Sequence, residues 1–260
     1  MLAKPLFHLN LSLRACLARV TLNGFQLLAV DARAPISVAP PINQLLVGKG
    51  NVLAIQALPT ITRQGMSSPL DIDITGSVSA YQKGDIVAPD EAGDVVLAID
   101  VRKALAGQVP AIPLQLAFEF DNEGPAFPEL FREAEVIEDP EPLLAYATHL
   151  RDLFAAGDAA GLVKEFAPKL RDFGAAYYQT EAYMRDEFVS FLQRRLLPGP
   201  MDLAFKGTDI LPVSMCEGRI WELMRKPRIP LLQTMPDKNG GQLQIPVYVG
   251  RIDGALRVVR

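Results

Sequence analysis

Few residues in this chain combine a reactive type with a spacing that chemistry could use. The two histidines, His8 and His149, fall in opposite halves, so a histidine triad or a multi-histidine metal site would need both to converge. His149 stands one residue before an apolar helical position and close to Arg151, which places it at a helix edge. Asp209 and Glu222 lie in or next to predicted strands and are the candidate bases, provided they face an apolar interior that adjusts their pKa. Charged strand residues ordinarily face water instead. Trp221, Tyr177, Tyr178 and Met215 are the candidates to line a ligand pocket with them, although the same spacings also serve core packing.

Other signatures fail on their spacing. Gly48-Lys49-Gly50 looks like part of a phosphate-binding loop, but Gly50 stands where a hydroxyl residue is required and a strand follows instead of a helix. Asp71 and Asp73 share one strand face, while calcium wants about six to eight oxygens, so a solvated face is the reading. The sequence contains no G-x-S-x-G elbow, no C-x-x-C and no H-E-x-x-H. Cys16 and Cys216 lie in different halves and match neither a disulfide framework nor a zinc site; both read as buried small hydrophobes. The expectation is a protein with no catalytic residues, no metal and no cofactor.

Composition sets the frame for these residues. A chain of 260 residues with 49% apolar and 22% charged content packs a core without metals or disulfides. Before Pro140 it carries 10 Lys and Arg against 16 Asp and Glu, and from Pro140 onward 16 against 14. An acidic half beside a near-neutral one is not the basic footprint of a nucleic-acid binder. Polar residues interrupt the N-terminal apolar run, and no stretch reaches the roughly 18 apolar residues of a membrane span. A cytoplasmic location is expected.

The first half reads as strands. Phe7, Leu9, Leu11 and Leu13 alternate with His8, Asn10, Ser12 and Arg14, and the phase then shifts so that Val20 and Leu22 carry the pattern, which predicts a bulge or turn near Ala18–Arg19. Alternation recurs over Leu70–Ala80, Val95–Val101 and Ile112–Phe120, separated by Gly/Pro turns and without a convincing helix. A β-sandwich over residues 1–125 is the reading. Asn23-Gly24 suits a hairpin turn with positive φ, and Gly48 and Gly50 let the chain turn before Val52. A strand ending in Asn-Gly, followed by Leu45-x-x-Gly48-x-x-Asn51-x-Leu53-x-Ile55, resembles the galactose-binding-like jelly rolls that accompany glycoside hydrolases. That resemblance implies a fold and raises carbohydrate binding as one function, although no aromatic cluster flanks the segment.

From Asp121 to Pro142 the chain holds eight acidic residues, four prolines and Arg132 as its one basic residue, so residues 126–139 read as an acidic, proline-containing linker. Residues 140–260 then read as α+β. Asp139-Pro140 starts a helix that Gly157 ends, Asp158 caps a second containing Pro168, where a kink or break is expected, and Thr180 caps a third. Strands follow over Asp209–Cys216, Arg219–Arg225, Ile229–Met235, Gln242–Gly250 and Ala255–Arg260, joined by hairpin-like turns. Three helices packed on a curved antiparallel sheet resemble, in element order, the nuclear-transport-factor-like (cystatin-like) cone, a group that includes ketosteroid isomerases and polyketide cyclases. The resemblance implies a pocket for a small molecule or a partner.

Three functions are therefore expected in order. The first is a non-catalytic binding or protein-interaction role, including self-association. An isomerase- or cyclase-like enzyme or carrier using the C-terminal cone is second, and carbohydrate binding by the N-terminal sandwich is third. The partner is a protein or small molecule, with neither nucleic acid nor membrane.

Overall fold

A computed structural model describes residues 2–62, 65–85, 87, 93–106, 108–109, 111–197 and 199–260, and the chain divides into two compact units, Met1–Pro128 and Glu129–Arg260. The first contains β1 (Pro5–Arg14), β2 (Cys16–Leu22), β3 (Phe25–Ala32), β4 (Ile36–Val38), β5 (Asn51–Pro59), the paired β6 (Ile61–Thr62) and β7 (Gly65–Met66), β8 (Asp73–Gln82), β9 (Asp94–Asp100) and β10 (Leu114–Phe120). They form two four-stranded antiparallel sheets with strand orders β4-β1-β8-β9 and β10-β5-β2-β3. Asp100 caps a one-turn helix, α1 (Val101–Ala104), by accepting the Lys103 N–H at 2.9 Å, so Val101 begins a helix where the alternation predicts a strand.

The phase shift falls at Ala15 and not at Ala18–Arg19. Phe7, Leu9, Leu11 and Leu13 are the buried side of β1, whereas Cys16, Ala18, Val20 and Leu22 are the buried side of β2. Between them Ala15 adopts φ 56°, and the chain leaves one sheet for the other. A strand that changes sheets must change phase to keep its apolar residues inward. Leu17 and Arg19 consequently turn outward. Asn23 and Gly24, at φ 52° and 80°, make the two-residue turn into β3.

One buried amide ties the loops of this unit together. Asn51 has no solvent exposure, and its side chain makes five hydrogen bonds. Its Nδ2 donates to the carbonyls of Gly48 and Phe120 at 3.1 and 3.2 Å and to Asn122 Oδ1 at 2.9 Å. Its Oδ1 accepts from Val47 N at 2.9 Å and from Asn23 Nδ2 at 3.0 Å. Asn23 in turn donates to the Leu45 carbonyl at 2.8 Å and accepts from Val52 N at 2.9 Å. Gly48 N donates to Asn122 Oδ1 at 3.0 Å, and Gly50 N to Asp121 Oδ1 at 2.7 Å. The glycine loop that resembles a phosphate cradle therefore points these two N–H groups at the chain's own side chains.

The second unit carries helices with a sheet. Asp139 Oδ1 accepts the Glu141 N–H at 2.9 Å at the start of α2 (Glu141–Ala156), with Pro140 in the cap position, and Gly157 at φ 65° ends it. Asp158 caps α3 (Ala159–Ala176), which runs through Pro168 without a break. Thr180 caps α4 (Glu181–Phe191), which passes into a π-helical turn at Leu192–Leu196. Five strands make the antiparallel sheet: β11 (Ile210–Met215), β12 (Ile220–Arg225), β13 (Ile229–Pro230), β16 (Val247–Ile252) and β17 (Ala255–Val258). The order is β11-β12-β16-β17, β13 pairs with β12, and β14 (Leu232–Gln233) pairs with β15 (Gln244–Ile245). Leu143, Leu150 and Leu162 from the helices pack with Leu223, Val247, Val249 and Val258 from the sheet in one cluster, each at 0% exposure.

The acidic stretch carries buried residues of its own. Phe127 N donates to the Leu46 carbonyl at 2.7 Å, a π-helical turn at Glu129–Glu133 buries Leu130 and Phe131, and Ile137 N donates to the Gly218 carbonyl at 2.9 Å.

Replacing Asn51 with Ala removes a partner from three acceptors and two donors, of which Asn122 Oδ1, the Gly48 carbonyl and Asn23 Nδ2 keep another. Each such group costs about 1–3 kcal/mol when left unsatisfied. The expected loss is about 3 kcal/mol of unfolding free energy for the first unit, measured by urea denaturation followed at two probes, one in each unit.

Candidate functional site

The six ligand-site candidates do not line one wall. Trp221 and Glu222 are neighbours on β12, so their side chains leave opposite faces of the sheet. Trp221 packs against the cluster shared with the helices, and its Nε1 donates to the Gly218 carbonyl at 3.0 Å. Glu222 is on the other face, opposite Tyr248 in the register, and accepts a hydrogen bond from the Tyr248 hydroxyl. Burial raises the Glu222 carboxyl above its ordinary value, opposed by that hydrogen bond. Burial, with Glu222 beside it, pushes the Tyr248 phenol up to about 12. Asp209 is exposed and closes a turn, its carboxylate accepting from Lys206 N at 2.8 Å and its carbonyl from Lys226 N at 2.8 Å. Met215 is buried at the end of β11. Tyr177 and Tyr178 follow α3, half-buried, with Tyr178 at φ 58°; burial pushes Tyr177 up to about 12 and raises Tyr178.

The other motifs are accounted for locally. Asp71 accepts from Ser68 N at 3.0 Å, and Asp73 pairs with Arg14 at 3.1 Å and Arg102 at 3.5 Å. Cys16 and Cys216 are buried free thiols, pushed up by burial to about 11 and about 12, so neither is a thiolate at neutral pH. Among the described residues no group of three or more His, Cys, Asp or Glu could hold a metal ion, and no helix is long and apolar enough to cross a membrane.

A polar network that the sequence reading missed runs along α3. Glu165, 6% exposed, accepts from the Tyr146 hydroxyl at 2.7 Å and from Arg257 Nη1 at 3.3 Å, with His149 Nε2 at 3.5 Å. Burial and the adjacent Glu165 raise the Tyr146 phenol well above its ordinary value, which keeps it a neutral donor. Two turns on, Asp172 accepts from Arg260 Nη1 at 2.7 Å and pairs with Arg171 at 3.1 Å. The Arg260 guanidinium lies 5.2 Å from the Phe131 ring centroid. Lys169 stands between the Phe166 and Phe173 rings, at 5.8 and 5.7 Å from their centroids, and burial, helped by Arg260, lowers its ammonium to about 8. The two α3 carboxylates each meet an arginine from the end of the chain, so this chemistry is charge matching that holds α3 to β17 and the residues after it. A visible signal existed: Glu165 and Asp172 share the stripe that carries Leu162 and Phe166.

Three exposed polar side chains of the first unit line up on one sheet face. On the outward face of the β10-β5-β2-β3 sheet, Gln115 is the register partner of Gln56, and Gln56 of Arg19. Next to that row, Ala117, Ala54 and Thr21 are likewise aligned, as are Leu58 and Leu17 on its other side. Two hollows of about 510 and 470 Å³ open on this face, and Arg19 and Gln56 belong to both. The first is walled by Leu17, Leu58 and Pro113, and the second by Thr21, Ala54, Gln115 and Ala117. Arg19, Gln56 and Gln115 are exposed, and among the described residues their side chains make no hydrogen bond or ion pair. Asp31 also borders the first hollow, with its carboxylate held by Arg33 at 2.8 Å.

No protein-family model, curated protein or solved structure matches the chain.

Glu222 yields a pH test. Its folded-state pKa is raised, so its favourable contribution is fully present below the ordinary 4.5 and is lost as pH rises through the folded value. The amide of Glu222→Gln still accepts from Tyr248 without burying a charge. The variant therefore melts at a higher temperature than the parent at pH 7, and the gap closes below pH 4.5, as scanning calorimetry across pH 3.5–7.5 will read.

Proposed function

We propose that this is a non-catalytic binding protein, built from a jelly-roll-like sandwich and a nuclear-transport-factor-like α+β domain, that recognises its partner on the outward face of the β10-β5-β2-β3 sheet. The observation that carries the reading is the cross-strand row of Gln115, Gln56 and Arg19, exposed and unengaged by other described residues, between two hollows. A guanidinium and two amides in a row supply donors and acceptors at about the 4.8 Å strand spacing. A cytoplasmic location is part of the same proposal.

The competing readings have less to stand on. Isomerase- or cyclase-like chemistry needs a base inside an apolar interior. Glu222 is on the sheet face opposite the cluster between helices and sheet, and the buried carboxylate beside that cluster, Glu165, is already engaged by Tyr146 and Arg257. Sugar recognition by the sandwich would draw on aromatic stacking, and no residue lining either hollow is aromatic.

Arg19→Glu reverses the charge at an exposed position, and its effect on stability is expected to stay within about 0.5 kcal/mol. A photo-crosslinking residue at Gln56 should give a discrete adduct in native lysate that Arg19→Glu reduces at least tenfold, while the same probe at exposed Glu187 on α4 gives an adduct indifferent to Arg19. Repeated absence of an Arg19-dependent adduct would defeat the proposal.

A further inference from the structure

We infer that the sheet face takes the C-terminal end of a partner polypeptide finishing in an aliphatic residue, with the terminal carboxylate on Arg19. The inference rests on the recognition face described above and names what that face receives. Arg19 is exposed and, among the described residues, has no carboxylate paired with it. A guanidinium is a fork that matches a carboxylate bidentately, and a chain end offers that group where an internal residue does not.

The row also fixes a direction. Arg19, Gln56 and Gln115 belong to successive strands β2, β5 and β10, so they span about 10 Å at about 4.8 Å per strand. Three residues of extended chain advance about 10 Å as well. A carboxylate on Arg19 thus leaves the preceding peptide groups over Gln56 and Gln115, whose amides each offer a donor and an acceptor to a peptide bond. Beside Arg19 the hollow of about 510 Å³, walled by Leu17, Leu58 and Pro113, receives the last side chain. Leu58 is 41% exposed there, apolar surface that such a side chain would cover.

The test titrates acetyl-Ala-Ala-Leu with a free carboxylate, and the same peptide amidated, into the isotope-labelled full chain, following backbone amide shifts. The free acid should perturb residues around Arg19, Gln56 and Leu58 and bind at least tenfold more tightly than the amide. Arg19→Gln should abolish that difference, and acetyl-leucine alone should bind at least tenfold more weakly than the tripeptide. Equal affinity for acid and amide overturns the inference while leaving the recognition face in place, as does an unaltered difference in Arg19→Gln. Acetyl-leucine binding as well as the tripeptide overturns the polypeptide assignment in favour of a small carboxylate. No shift from either peptide, with the Arg19-dependent crosslink still formed, overturns the chain end alone; loss of both removes the face itself.

Discussion

The first unit depends on one buried amide. Asn51 joins the loop before β5, the turn after β2 and the residues after β10 through groups that water cannot reach. A backbone that turns this sharply leaves carbonyls and N–H groups outside any ladder, and each must find a partner. Asn supplies both signs from one planar group, which neither Asp nor Leu of similar size can do. Because β5 is central, paired to β10 on one side and β2 on the other, fixing its first residue sets the register of both neighbours. The row Gln115, Gln56, Arg19 is a direct consequence of that register.

What was legible in the sequence is what period and turn chemistry control. Alternation located β1, β8 and β10 because one face of each meets a core, and Asn23-Gly24 marked the hairpin because few other residues accept two positive φ angles in succession. The phase shift was legible as well, but its site was misplaced by three residues, because Ala15 and Leu17 continue the apolar alternation although Cys16 is the buried one. Pro168 predicts a kink or break, and α3 continues through it unbroken, with Leu162, Phe166 and Leu170 packed on its buried side. The α3 carboxylates escaped notice because their arginine partners are 92 and 88 residues away, beyond any local pattern.

The candidate site was hidden for a related reason. Its members are ordinary surface residues on three strands, and they become a site only through pairing between residues 37 and 59 positions apart, from Arg19 to Gln56 and from Gln56 to Gln115. Conspicuous types misled instead: Trp221 has its indole N–H satisfied by Gly218, and Asp209 is spent on closing a turn. Aromatic and charged residues attract notice by type, whereas the row is defined by spacing in the folded sheet.

Among the described residues Arg19, like Arg194 and Arg195, is an exposed guanidinium with no carboxylate paired to it. Arg14, Arg33, Arg151, Arg225, Arg251, Arg257 and Arg260 each meet a carboxylate within 3.3 Å. Apart from Arg33–Asp31 and Arg151–Asp152, which are near neighbours in sequence, those pairs hold strands, helices and loops to one another. Arg19 lies on the internal strand β2 with Gln56 and Ala29 as its cross-strand neighbours, and among the described residues no carboxylate is paired with it. A long side chain on a sheet face gains nothing from rigidity while solvated, and ordering it costs up to about 2 kcal/mol of rotamer entropy. In the proposed reading an incoming anion changes that balance, so the charge, rather than the hollows around it, carries the proposal.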